Sequence, residues 1–248
     1  DIRRLNCVAS FERLGMKDAD NFLGEYSQKG PFLQLEEGAI SEEEFRTAVR
    51  ALIDGEVSDE QIDSAFCDFL VGIPKYRLEQ LRQLKKSYNI YMLSNTNSIM
   101  WRSRIAEDFR QDGLEREDYF DGIVTSFEAR SIKPDAKIFH TVVEKLGINP
   151  DETLFLDDSQ KNLDAAAQLG FHTLLVTPGS EFFELTTYMA SLILRQQQQY
   201  EKAIEFQEKC VKCTNCRYGV KDMRHIETCD LLLRLAGETK RWDIIKQY

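Results

Sequence analysis

Nowhere in these 248 residues does an apolar run approach the roughly 20 residues that a membrane-spanning helix requires. No charged segment followed by an apolar one opens the chain either, so the expected address is cytoplasmic. Basic residues are in deficit: 32 Lys and Arg stand against 42 Asp and Glu, a formal charge of -10. That balance opposes a general nucleic-acid or anionic-membrane surface, and any anionic substrate must be met by a local cationic site. Histidine is scarce, and His140 and His172 fall in a predicted helix and a predicted strand, where they read as packed or surface side chains instead of catalysts. The cysteines lack the spacing of a small disulfide framework. Cys7 and Cys67 stand alone in helical patterns, while Cys210, Cys213, Cys216 and Cys229 crowd the C-terminal part.

What the chain does have is Thr153-Leu-Phe-Leu-Asp-Asp-Ser-Gln-Lys-Asn162, a short apolar run that ends in two adjacent carboxylates. Thr153 to Leu156 read as a strand buried on both faces, and Leu163 to Leu169 as a helix closed by Gly170. Asp157 and Asp158 then sit at a strand's carboxyl end, where open α/β sheets place their ligands. Two such anions raise each other's proton affinity unless a cation compensates, and hard oxygen donors suit Mg2+ better than zinc. The other reading of the pair is two loop aspartates capping the next helix.

Residues 1–72 have a helical, polar-faced pattern broken at Gly30-Pro31. Ser41-Glu-Glu-Glu44 leads into Phe45, Val49 and Leu52, and Ser58-Asp-Glu-Gln61 leads into Ile62, Phe66 and Phe69; both are capping boxes that start amphipathic helices. Nothing there has ligand spacing, which leaves a small bundle with a structural or lid role. After Pro74 a helix carries Leu78, Leu81 and Leu84, and a strand at Ile90–Leu93 ends in Ser94-Asn95-Thr96-Asn97. Those four residues offer hydroxyl, amide and backbone donors to an anion, and they also make an ordinary turn. A strand at 122–125 precedes Ser131-Ile-Lys-Pro-Asp135, where Pro134 holds Lys133 on a fixed loop; a solvated lysine is the plainer reading. A helix through Ile138, Phe139, Val142 and Leu146 closes at Gly147, and 171–176 supplies a further strand broken at Pro178-Gly179. Strands alternating with helices at this pitch imply an α/β fold of parallel βαβ units, with Ser94, Lys133 and Asp157/Asp158 gathered on one sheet edge.

These residues resemble the haloacid dehalogenase superfamily, and within it the bacterial sugar-phosphate phosphatases of the α-D-glucose-1-phosphate phosphatase type. Leu93-Ser-Asn-Thr96 is similar to the family's second motif, Lys133-Pro-Asp135 to its third, and Phe155-Leu-Asp-Asp-Ser-Gln-Lys-Asn162 to its fourth, over roughly residues 1–185. The resemblance implies a Rossmann-like parallel sheet with an inserted helical cap, a cap at 1–74 and an α/β core at 75–185, and leaves 186–248 beyond it as a helical C-terminal extension. It implies Mg2+-dependent phosphoryl transfer from a small phosphorylated metabolite to an enzyme aspartate and then to water. Ser94 and Asn95 would bind phosphate oxygens, Lys133 would balance charge, and Asp158 with Asp157 would hold Mg2+, with Asn162 behind them. Cap residues such as Phe32 and Trp101 would select the substrate by shape. The family's first motif, a strand followed by the nucleophilic aspartate, is expected upstream of Asp1, so this chain would lack the sheet's central strand and be an inactive, poorly stable fragment.

The remaining residues read as helical. Leu185 to Cys213 form a helix pair or one helix broken around Gln196–Gln199, and Tyr200-Glu-Lys-Ala-Ile204 and Arg241-Trp-Asp-Ile-Ile245 resemble equivalent points of tetratricopeptide repeats. Such helices are candidates for binding a protein partner. Cys210, Cys213, His225 and Cys229 have spacing close to a zinc site, and cysteines spaced along a helix face explain the same pattern. Two other functions remain open: a noncatalytic helical interaction protein carrying a relic domain, and a 2-haloacid dehalogenase, which needs no metal and fits the twin aspartates less well.

Overall fold

The computed structural model describes residues 2–24, 28–176, 190–195, 198–218 and 223–245. They form an α/β protein, helix-rich with small parallel sheets, that divides into two compact units: Asp1–Asn149 with Lys161–Leu169, and Pro150–Gln160 with Gly170–Tyr248.

The first unit begins with five helices: α1 (Arg4–Arg13), α2 (Ala19–Phe22), α3 (Pro31–Glu36), α4 (Glu42–Arg50) and α5 (Asp59–Cys67). Both capping boxes form. Ser41 accepts from the Glu44 amide while Glu44 reaches back to the Ser41 amide, and Ser58 and Gln61 do the same for α5. The helices thus start with two otherwise orphaned amides satisfied. Their apolar faces meet in one cluster whose centre is Phe32, fully buried, with ring centroids 5.2, 5.3 and 5.1 Å from Phe11, Phe45 and Phe66. The contacts are edge-to-face, the arrangement that aromatic quadrupoles favour. Phe32 is therefore core. Ile99 and Met100 enter the same cluster from beyond the first strand, so the helical bundle shares its interior with the segment that follows that strand.

Next come α6 (Lys75–Lys85), β1 (Tyr91–Ser94), α7 (Ser98–Arg102), α8 (Arg104–Phe109), α9 (Arg116–Tyr119), β2 (Gly122–Thr125), α10 (Ser126–Ala129) and α11 (Ala136–Leu146). α6 buries Leu78 and Leu84, and α11 ends on Gly147 at φ +61, the left-handed position that a helix terminus gives to glycine. Trp101 lies on α7. It is buried at 8% exposure, with the Arg116 guanidinium 4.0 Å above its ring and Arg116 Nη1 donating to its carbonyl at 2.6 Å.

In the second unit β3 (Leu154–Asp157) leads into α12 (Gln160–Gln168), whose later residues belong to the first unit, and β4 (His172–Leu175) follows. A helical segment at 190–195, α13 (Tyr200–Tyr218), α14 (Met223–Glu238) and α15 (Trp242–Ile245) complete it. They pack through Ile204, Val211, Leu232 and Leu235. Fully buried Gln207 accepts from Ser191 Oγ at 2.7 Å and donates to the Thr228 carbonyl at 2.8 Å. Residues 178 and 179, expected to break the last strand, lie outside the described residues.

The strands arrive where the apolar runs put them and pair in parallel, β1 with β2 and β3 with β4. One expectation is corrected. Leu154, Phe155 and Leu156, expected to be buried on both faces, are half-buried, as is all of β1. A strand with one hydrogen-bonded neighbour keeps an edge open, and apolar content alone does not report how many neighbours it has.

Candidate functional site

β1 and β2 run parallel in register to their last residues, where Ser94 lies opposite Thr125. Beyond that rung side chains take over from the ladder. Asn95 Nδ2 donates to the Lys133 carbonyl at 3.1 Å, and the Lys133 amide donates to Asn95 Oδ1 at 2.8 Å. A side-chain amide carries a donor and an acceptor as a peptide does, so Asn95 serves Lys133 as a substitute strand partner. The lysine ammonium meanwhile donates to the Leu93 carbonyl at 3.4 Å, a long bond. Thus the residues on either side of Ser94 both bond Lys133, although they lie some forty positions away in the chain.

Ser94 itself is half-buried, and its hydroxyl is 3.5 Å from the Asn95 carbonyl, longer than the usual O–H···O bond of about 2.5–3.0 Å. It can turn to an incoming acceptor at little cost. Asn95 has both ends of its amide bonded to Lys133, which leaves its second Nδ2 hydrogen and its backbone amide as donors for an oxyanion. Asn97, fully buried, accepts from the Met100 amide at 3.0 Å and starts α7. On the lysine side, Asp135 accepts from the Lys137 amide at 2.9 Å and starts α11, so the loop carrying Lys133 is fixed at its far end as well.

In the second unit Asp157 is the last residue of β3, buried at 9% exposure, with Oδ1 accepting from the Ser159 amide at 2.9 Å. Asp158 is exposed, and its carboxylate has no ion pair or hydrogen bond among the described residues. One buried carboxylate oriented by a backbone amide, beside a second one open to solvent, is a donor set of hard oxygens. It suits Mg2+ and could supply two of the six ligands that an octahedral site takes. Among the described residues no three His, Cys, Asp or Glu side chains group as a metal site. Asn162 is half-buried in the first turn of α12.

A polar cleft of about 350 Å³ flanks the Lys133 loop, lined by Glu37 and Gly38 on one side and Arg130, Ser131 and Asp135 on the other. Next to it Glu36 ends α3. Burial, and secondarily the charge of Glu37, pushes the Glu36 carboxyl from its ordinary 4.5 up to about 7. An acid whose folded value is raised costs stability only where it is ionised. The penalty is therefore absent below pH 4.5, grows between 4.5 and 7, and is complete above 7. Glu36→Gln should raise unfolding free energy at pH 8 by about 1–3 kcal/mol and leave it unchanged at pH 4. Urea titrations at the two pH values test this, and an equal effect at both would refute it.

Cys7 and Cys67 are not poised for chemistry. Burial pushes the Cys7 thiol far up, and burial also raises Cys67, which lies 3.3 Å from Ser103 Oγ. Thiols held protonated are poor nucleophiles and poor metal ligands. Cys210 is buried and Cys229 half-buried with its thiol raised by burial, but the side chains of Cys213, Cys216 and His225 lie outside the described residues, and so does the proposed zinc set. His140 is exposed on α11, and His172 on β4 bonds the Asp151 carbonyl through Nε2 at 2.9 Å. Among the described residues no helix is long and apolar enough to cross a membrane.

One contact of this site has no counterpart in the motifs. Ser126, fully buried at the start of α10, accepts from the Thr96 amide at 3.0 Å and donates to the Thr96 carbonyl at 2.8 Å. Only its place directly after a strand end could have drawn attention to it.

The haloacid dehalogenase-like hydrolase family matches residues 8–170. D-ribitol-5-phosphate phosphatase of Bacteroides thetaiotaomicron is 34% identical over 192 residues, 77% of this chain and 93% of that protein. A solved HAD family enzyme of Bacteroides thetaiotaomicron, an Asp-to-Ala mutant in complex with magnesium and inorganic phosphate, superposes with a TM-score of 0.72 at 37% identity, covering 75% of this chain and 92% of that one. A HAD-like family hydrolase from Porphyromonas gingivalis gives 0.70 at 31% identity over 76% of this chain and 90% of its own.

Proposed function

This chain belongs to the haloacid dehalogenase-like hydrolase family, and from that premise we propose that it is a Mg2+-dependent phosphomonoester hydrolase of a small phosphorylated metabolite. The observation that carries the reading is the two-way bonding of Asn95 to Lys133, which tethers a cation beside the weakly held Ser94 hydroxyl at the end of β1. A phosphoryl group there would meet a hydroxyl donor and an ammonium, local positive charge on a protein whose net charge is -10. The name of the ribitol-phosphate relative supports a phosphorylated polyol or sugar as the substrate.

In this reading the cap is 1–74, the core 75–185, and 186–248 a helical extension. Ser94 and Asn95 donate to phosphoryl oxygens, while the Asn95 amide also steadies Lys133. Lys133 offsets the charge that accumulates on the phosphoryl oxygens during transfer. Asp157 and Asp158 would hold Mg2+, which when bound supplies charge neutralisation. Donors fixed at strand ends do this with little reorganisation. The phosphoryl group would pass first to an enzyme aspartate and then to water.

Orthophosphate titrated in the presence of Mg2+ should bind saturably, and phosphorylated polyols and sugars should compete with it, whereas 2-haloacids should not. Asp157→Asn combined with Asp158→Asn should abolish the Mg2+ dependence. Competition by a 2-haloacid, or phosphate binding indifferent to Mg2+ in the parent protein, would overturn the reading.

A further inference from the structure

We infer that Ser126 is a positioning residue of the anion site: its hydroxyl, by clamping both backbone groups of Thr96, sets where the Ser94 hydroxyl points. The inference rests on the phosphatase reading above and concerns a residue outside its motifs. Where β1 leaves the sheet, the next backbone groups have no strand to bond. Thr96 is buried at 4% exposure, so its amide and carbonyl need protein partners, and one hydroxyl supplies both by accepting at 3.0 Å and donating at 2.8 Å.

The neighbouring residue is tied in the same two-way manner from elsewhere, Asn95 to the Lys133 backbone. Consecutive residues of the turn are thus anchored to two separate points of the 126–133 segment, with Asn97 anchored forward to α7. The dihedrals from Asn95 to Asn97 are over-determined, and Ser94, which precedes them, is the residue whose hydroxyl makes only a long contact. Preorganisation of this kind keeps a donor aimed before the ligand arrives. Without Ser126 the Thr96 amide and carbonyl must find new partners. The turn then shifts, and the anion loses a donor it never touched through Ser126 itself.

The test compares Ser126→Ala with Ser191→Ala, which removes a different buried serine hydroxyl, one bonded to Gln207 in the second unit. Both variants should lower the thermal midpoint, which reports the structural loss. Ser126→Ala alone should weaken orthophosphate, titrated with Mg2+, by about 10-fold and speed amide exchange at residues 95–97 by a similar factor, the loss of one well-made polar contact. Three results would overturn the inference: unchanged exchange at 95–97, phosphate affinity within twofold of the parent despite faster exchange, or an equal loss of affinity in Ser191→Ala. A parent protein that binds no orthophosphate fails the phosphatase reading first, and this inference falls with it. Parent binding with an unaffected Ser126→Ala sinks the inference alone.

Discussion

Replacing Lys133 with methionine is expected to weaken orthophosphate binding by about 10- to 100-fold, the worth of a charge-assisted hydrogen bond of about 1.5–3 kcal/mol. Methionine keeps most of the side chain's length and apolar stem and removes only the ammonium. The loop should hold, because the Lys133 backbone itself is bonded by Asn95 at 2.8 and 3.1 Å. The unfolding free energy should accordingly change by less than about 1 kcal/mol, the scale of an ordinary intramolecular hydrogen bond. Calorimetric titration with phosphate, paired with urea unfolding, separates the two effects. Affinity within twofold of the parent would remove Lys133 from the site, and a large loss of stability would make its part structural.

The second large effect is expected at Gly38, where alanine should destabilise the protein by about 3 kcal/mol or more, through backbone strain and overpacking together. α3 ends in a two-bond terminus: the Ala39 amide donates to the Gln34 carbonyl at 2.8 Å and the Gly38 amide to the Leu35 carbonyl at 3.1 Å. That geometry requires the left-handed conformation at Gly38, with φ +63. A methyl group there would also sit 2.0 Å from the Phe127 carbonyl oxygen, a backbone atom that cannot swing aside. Gly113→Ala is the control: its φ is +72 and its Cβ would meet nothing within 4 Å, so it should lose only the conformational cost of about 1 kcal/mol. Equal losses in the two variants would show that the contact of the α3 turn with the segment after β2 carries no energy. A displaced Phe127 carbonyl lies on the segment that leads to Lys133, so Gly38→Ala should weaken phosphate as well.

Much of this architecture was legible because it is written in neighbouring residues. A capping box spans four positions, and Ser41 with Glu44, and Ser58 with Gln61, form the bonds their spacing announces. Short apolar runs gave β1 and β3, and glycines marked the ends of α11 and α12. Other assignments needed coordinates. Trp101 reads as a cap residue and is core on α7 beneath Arg116. That Asn95 bonds the Lys133 backbone in both directions is not written in either motif, and Glu36, one acidic residue among many in its neighbourhood, acquires a raised proton affinity from burial. The extent to which β1 and β3 are covered was also beyond reach, since an apolar strand does not state its number of neighbours.

By itself the order of residues determined the alternation of strands and helices, the family, and the three places where polar groups end apolar runs, because each depends on contacts a few positions apart. Tertiary structure alone decided that Asn95 holds Lys133, that Ser126 holds Thr96, and that the Phe127 carbonyl leaves no room for a Cβ at the glycine in α3's terminal turn. Those pairs are 38, 30 and some ninety positions apart, and a hydrogen bond good to a few tenths of an ångström is set by the register of two strands and the packing behind them.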